Sequence, residues 1–302
     1  MTCSVCIATF KRADLLDKLL ESLVGQVLPV DVILEIIVVD NDPEGSAEEI
    51  VHKYSDTKQM TFRYFQQPVK NISLTRNVAV MNAGGRYILF VDDDEVTCRD
   101  WVLRLLTALR KYNADGVFGP VVPRFDDKAP EWIKKRISLF INTMPAVSTG
   151  TEAQATWSGN CLISSALLQQ VEGPFNPDYG ITGGEDTELF DRLKRNGARF
   201  IYCSEAPVFE YWPPERSQGL YLMKRSLKGT NAYTRRTIAN SNRKTLMRVL
   251  MLAKSVCFGF LSSALLILSF PNKVWRTYWK MKLASNAGRL LAVFGHYYQA
   301  YR

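Results

Sequence analysis

Short continuous apolar runs alternate, over the first two thirds of the chain, with stretches whose apolar positions recur every three or four residues. Ser4 to Phe10, Leu34 to Asp40, Thr61 to Phe65 and Tyr87 to Val91 are runs of the first kind. They read as strands buried on both faces of a parallel sheet. Between them, Asp14 to Leu23 sets Leu15, Leu16, Leu19, Leu20 and Leu23 on one helical face. Ser46 to Tyr54 reads as a short helix. Asn71 to Ala83 reads as a longer one, entered through Asn71-Ile72-Ser73 and stopped by Gly84-Gly85. Strand–helix alternation of this kind predicts an α/β fold, a mostly parallel central sheet flanked by helices, with right-handed crossovers. Later segments extend it: a helix over Trp101 to Lys111, strands over Gly116 to Pro123 and Phe200 to Val208, and a helix from Thr187 to Lys194. Phe125 to Thr156 keeps no period, contains Pro130, Trp132 and Pro145, and is expected to form a mobile flap.

The pattern changes near Arg216. Val249 to Phe270 is apolar for about one bilayer span, interrupted by Lys254 and by Ser255, Ser262 and Ser263 in its interior, and Pro271-Asn272 ends it. Trp275, Tyr278 and Trp279 follow, mixed with Lys273, Arg276, Lys280 and Lys282, as at a membrane interface. Charge sharpens the contrast. The 302 residues carry 38 Lys and Arg, of which 16 lie from Arg216 onward with no Asp or Glu. The overall +8 therefore conceals a body of −8, with 22 basic and all 30 acidic residues. A wholly basic tail faces a polyanion. Its apolar run favours an anionic membrane surface, and no nucleic-acid partner is expected. A span would carry Lys273, Arg276, Lys280 and Lys282 across, against the positive-inside tendency. Helices lying in or dipping into the cytoplasmic leaflet are expected, making the protein peripheral or monotopic; a true span, a soluble packing face and a homo-oligomer contact stay open. The scattered cysteines, with no second pair beside Cys3-x-x-Cys6, imply reduced thiols in a cytosol-facing protein. The chain opens directly on a strand pattern, so no secretory signal is expected.

Acidic groups gather at strand ends. Tyr87 to Val91 runs straight into Asp92-Asp93-Asp94-Glu95, Leu34 to Val39 ends in Asp40, and Glu185-Asp186 follows Gly183-Gly184. The carboxyl edge of a parallel sheet is where such folds place ligands. Carboxylates this dense suit a hard cation such as Mg²⁺ or Mn²⁺, which usually also holds substrate phosphates. A solvated acidic turn is the competing reading. Thr9 and Arg12 leave the first strand at the same edge, and Arg76 sits in the helix before the acidic strand.

Six ordered pieces carry a resemblance: Val5 to Arg12, Ile36 to Asp42, Asn71 to Asn77, Phe90 to Glu95, Trp157 to Asn160, and Gly184 to Leu189. Together the chain resembles a family 2 glycosyltransferase of the GT-A fold. Pro213 to Arg216 and Leu222 to Ser226 are similar to the exopolysaccharide branch of succinoglycan-type glucosyltransferases. The resemblance implies a catalytic domain over 1–215, nucleotide-sugar-binding to 97 and acceptor-binding from 98, with a basic membrane-associating region over 216–302. It implies that Thr9 and Asp40 hold the uracil of a UDP-sugar, with Asp42 the competitor for Asp40, and that Arg12 and Arg76 lie nearby. Asp92 meets the ribose or sugar, Asp93 supports the donor site, and Asp94 ligates Mn²⁺ or Mg²⁺. Asp186 is the catalytic base, Glu185 orients the acceptor, and Gly159 and Asn160 line the sugar and acceptor pocket. Arg216 or Arg225 closes over the diphosphate. Where some relatives offer a His to the metal, this chain has Glu210, which leaves a third protein ligand in doubt. The implied reaction is inverting, metal-dependent transfer of a hexose to a lipid-linked saccharide at the inner face of a bacterial membrane. A non-catalytic nucleotide-binding scaffold is the rival reading.

Overall fold

In the computed structural model, residues 1–57, 60–141, 147–170 and 173–299 are described. The first half runs β1 (Thr2–Thr9), α1 (Ala13–Val24), β2 (Ile33–Asp40), α2 (Glu48–His52), β3 (Met60–Gln66), α3 (Ile72–Asn82) and β4 (Tyr87–Val91). These four strands are parallel and lie in the order β3-β2-β1-β4. The chain steps outward from β1 to β3 and then returns to β1's other side. That reversal opens a crevice at the carboxyl ends of β1 and β4. Thr9 pairs with Asp40, so both strands end level at its rim.

The continuous apolar runs are explained by burial on both faces. Along β2, Ile36 and Val38 join one core with Leu16, Leu20 and Leu105, while Ile37 and Val39 join another with Ala79 and Phe190. Helix α3 begins where the sequence places it. Asn71 caps it, its side chain accepting from the Leu74 amide at 3.1 Å. At the amino edge of the sheet, Glu35 takes Arg63 at 2.8 Å, the Ser4 hydroxyl at 2.6 Å and the Gly84 amide at 2.9 Å. Gly85 follows so close to β1 that a Cβ there would stand 2.6 Å from the Ser4 nitrogen.

The chain continues through β5 (Glu95–Thr97), α4 (Trp101–Tyr112), β6 (Gly116–Phe118), β7 (Val121–Phe125), α5 (Glu131–Lys134), β8 (Asn160–Ser164), α6 (Ser165–Leu168), α7 (Glu185–Arg195), β9 (Phe200–Tyr202) and β10 (Val208–Trp212). β8, β6 and β9 complete a seven-stranded sheet beside β4, and β5-β10-β7 form a second small sheet. Two expected strands are therefore each split between sheets. The run from Gly116 breaks at Gly119-Pro120, where proline offers no amide to a ladder and a Cβ on Gly119 would stand 2.4 Å from the Ala206 oxygen. The run from Phe200 breaks likewise between β9 and β10.

Two compact units divide the chain. The boundary differs from the expected 215/216 division: Trp212 onward belongs to the second unit, together with the stretch from Phe125 and with Thr182–Gly184. Ile133 and Phe140 are buried in this unit's core with Trp212, Leu222 and Met281. The first part of the expected flap is thus packed structure, while residues 142–146 of it lie outside the described residues. Helices α8 (Gly219–Ala239), α9 (Lys244–Leu268) and α10 (Lys273–Val293) complete the unit. Asn272 caps α10 just after Pro271. Helix α9 buries mainly a seam of Met251, Ser255 and Ser262, while Leu246, Val249, Val256, Phe258, Phe260 and Ile267 are exposed. Asn286 of α10 donates across that seam to the Ser255 carbonyl at 3.0 Å.

Candidate active site

The turn after β4 gathers the acids. Its backbone closes from the Glu95 amide to the Asp92 carbonyl at 3.1 Å, and the Glu95 carboxylate returns to the Asp92 amide at 2.9 Å. Asp93, Asp94 and Glu95 are buried, while the Asp92 side chain is 47% exposed. Thr9 donates to Asp93 at 2.8 Å. Arg12 donates from one nitrogen to Asp93 at 2.9 Å and to Asp94 at 3.3 Å. Burial and the neighbouring Asp94 push the Asp93 carboxyl up to about 6, against the pull of Arg12 and Thr9. Burial also lifts Glu95 well above the carboxylate range, helped by Asp92, Asp94 and Glu210. Glu210 stands directly across the β5–β10 ladder from Glu95, where like charges oppose each other.

A second acidic group comes from α7. Gly183 and Gly184 take φ of 80° and 92°, a left-handed turn that glycine adopts freely. Glu185 and Asp186 then open the helix, where its dipole favours negative charge. Ser158 donates its amide (3.2 Å) and hydroxyl (3.4 Å) to one Asp186 oxygen, and the Thr187 amide reaches the other at 2.6 Å. Arg76 joins the two acidic groups. It is almost fully buried, donates to Asp92 at 3.1 Å and pairs with Glu185 through its other terminal nitrogen. Gly159 leaves the space this needs: a Cβ there would stand 2.9 Å from a Glu95 oxygen and 3.2 Å from an Asp92 oxygen.

Beside Arg12, a cavity of about 560 Å³ is lined by Lys11, Asp14, Asp42, Glu44 and Ser46 among others. Asp40 does not line it. Its buried carboxylate accepts from the Asp42 amide at 2.9 Å and the Ala47 amide at 2.8 Å, so it organises the loop that presents Asp42. Asn160 is a correction. Fully buried, it accepts from Trp101 Nε1 at 2.8 Å and donates to the Pro120 and Ala206 carbonyls at 3.0 and 2.8 Å. Its side chain is spent on structure and cannot line a sugar pocket. Arg216 and Arg225 both lie over the Trp212 ring within the second unit, at 5.9 and 5.4 Å. Sequence reasoning missed the pairing of Thr9 and Arg12 with Asp93 and the Arg76 bridge, because both depend on where separate strands end.

The model of glycosyl transferase family 2 matches residues 4–171. The chain is also 30% identical, over 96% of its length and 92% of the other's, to the succinoglycan biosynthesis protein ExoM of Rhizobium meliloti (strain 1021). The chain belongs to glycosyl transferase family 2. Solved structures agree on the fold. A mannosyltransferase, PcManGT from Pyrobaculum calidifontis, in complex with GDP-Man and Mn²⁺, superposes with a TM-score of 0.70 at 18% identity, covering 97% of this chain and 87% of that one. Residues 1–349 of S. aureus TarS in complex with UDP give 0.53 at 17% identity, covering 99% and 93%. This family 2 chain therefore has the GT-A fold and is a glycosyltransferase, as the six sequence pieces imply.

Proposed function

We propose that this glycosyltransferase moves a hexose from a UDP-sugar onto a lipid-linked saccharide, with inversion, at the cytoplasmic face of a bacterial membrane. The observation that carries the reading is the meeting at one sheet edge of the Asp92–Glu95 turn and Asp186, tied together through Arg76 and Glu185. Such a site needs a leaving-group stabiliser on one side and a proton acceptor on the other. Asp186 is the acceptor's base. Ser158 and Thr187 hold its carboxylate, which takes the hydroxyl proton as that oxygen attacks. One base and a single displacement give inversion. Glu185, held by Arg76, orients the acceptor, and Arg76 also fixes Asp92 against the sugar or ribose. Thr9 and Arg12, with the Asp40-braced loop and Asp42, hold the nucleotide; Gly159 keeps the floor open and Asp93 anchors Arg12.

The residues fit a hard divalent ion. Asp94 and its neighbours Asp92, Asp93 and Glu95 offer only carboxylate oxygen. That is the donor set of a Mg²⁺ or Mn²⁺ site completed by substrate phosphates. When bound, the ion neutralises charge on the departing nucleoside diphosphate. Membrane association draws on α9, where Leu246, Val249, Val256, Phe258, Phe260 and Ile267 are exposed. So many exposed large apolar side chains on one helix mark a surface that takes lipid or a partner. Transfer from a panel of UDP- and GDP-sugars, with and without Mn²⁺, is the test, on the unsubstituted chain, Asp94→Asn and Asp186→Asn. Normal transfer by either variant overturns its assigned role, and preference for a GDP-sugar overturns the choice of nucleotide.

A further inference from the structure

The β1–α1 turn brings a cation onto the acids. Arg12 Nη1 sits 2.9 Å from Asp93 Oδ1 and 3.3 Å from Asp94 Oδ2, and Thr9 holds the other Asp93 oxygen at 2.8 Å. The backbone is set for this. Lys11, just before, takes φ of 52°, a left-handed conformation that side-chain-bearing residues rarely adopt and that gathers at functional sites. Lys11 Nζ reaches Asp42 at 3.7 Å and Glu44 at 3.9 Å. Arg12 is also 45% exposed and lines the 560 Å³ cavity, so it borders both the acids and open space. It has somewhere else to go.

We propose that Arg12 is a resident counter-ion of Asp94 which a divalent cation must displace, and which the donor diphosphate receives. The inference rests on the metal reading of Asp94 given above. A guanidinium and a dication on one carboxylate repel each other, so occupancy by one weakens the other. Arginine's planar fork suits phosphate oxygens as well as carboxylate ones. A diphosphate that draws Arg12 away leaves Asp94 freer for the ion. Metal and donor then help each other bind, and by linkage the help is reciprocal. Arg12 thereby disfavours metal occupancy until a donor arrives.

The test is Mn²⁺ binding to the full chain, read from the EPR signal of free Mn²⁺, first without nucleotide and then at saturating UDP. Without nucleotide, Arg12→Gln binds Mn²⁺ about threefold to fivefold tighter than the unsubstituted chain, the scale of a half-exposed ion pair. With saturating UDP, Arg12 rests on the diphosphate in the unsubstituted chain, and the gap between the two chains closes. Arg12→Lys, which keeps the charge but loses the fork, falls between the two when nucleotide is absent. Thermal melting confirms that each variant is folded. If Arg12→Gln binds Mn²⁺ no tighter than the unsubstituted chain when UDP is absent, the proposal is overturned. If no chain binds Mn²⁺ even with UDP, the metal reading falls and this inference falls with it.

Discussion

The two edges of the central sheet are built from the same parts and reach opposite electrostatic outcomes. At the amino edge, Ser4, Glu35 and Arg63 form a hydroxyl–carboxylate–guanidinium set, completed by the Gly84 amide. At the carboxyl edge, Thr9, Asp93 and Arg12 form the matching set. Burial works to raise the Glu35 carboxyl, yet Ser4, Gly84 and Arg63 together hold it below the usual carboxylate range. Asp93 goes the other way, up to about 6. The difference lies in the surroundings. Glu35 has one neighbouring arginine to itself, whereas Arg12 and Arg76 meet Asp92, Asp93, Asp94 and Glu185, with Glu95, Asp186 and Glu210 close by. Glu35 is satisfied by its hydroxyl, amide and guanidinium, whereas Asp93 shares Arg12 with Asp94, and that crowding lets burial raise its carboxyl.

Four substitutions test that contrast. Asp186→Asn has the largest expected effect, a fall in glycosyl transfer of about a thousandfold, in the range of a lost general base. Its unfolding midpoint in urea stays unchanged; a large loss of stability would make Asp186 a structural acid like Glu35. Arg76→Met leaves Glu185 buried without its guanidinium and is expected to cost about 3 kcal/mol in urea unfolding. If it costs nothing, the two acidic groups are not held together by Arg76. Glu35→Gln is expected to cost about 1 to 2 kcal/mol at pH 7. The sign follows from its lowered folded pKa: the contribution is present above the unfolded value and is lost as pH falls through the folded one. The unsubstituted chain and Glu35→Gln should therefore converge in stability in acid, and parallel curves would refute the assignment. Asp93→Asn has the smallest effect and the opposite sign. A carboxyl whose folded pKa is raised disfavours folding when ionised, and the penalty grows between about pH 4 and pH 6 and is constant above. The variant should gain about 1 kcal/mol at pH 7 in metal-free protein and nothing at pH 4. A loss at pH 7 would place Asp93 with Glu35 among the satisfied acids.

Much of this arrangement is legible in the sequence because it is local. The buried strands announce themselves as apolar runs, Asn71 marks the start of α3, and Asp92 to Glu95 sits at the end of a strand whose direction the alternation fixes. What is not legible depends on distant segments meeting. Asp93 has no assignable role until Thr9 and Arg12, more than 80 residues earlier, are placed beside it. Asn160 reads as a pocket residue in Trp157-Ser158-Gly159-Asn160, but Trp101, Pro120 and Ala206 consume its side chain. The runs from Gly116 and Phe200 read as single strands because periodicity does not reveal that a chain changes sheets at Gly119-Pro120. The membrane reading of the tail is compositional; in the fold, α9 leaves Val256, Phe258 and Phe260 exposed around a buried seam of Met251, Ser255 and Ser262.

The Asn160 side chain has a consequence for time rather than for energy. Its three hydrogen bonds fasten the start of β8 to helix α4, to the turn between the two sheets and to the segment before β10. Opening that joint requires all three to release together. The amides of Asn160 to Ile163 should accordingly be among the last in the chain to exchange with deuterium, so that the floor beneath the acids keeps its shape over many cycles of donor arrival and product departure.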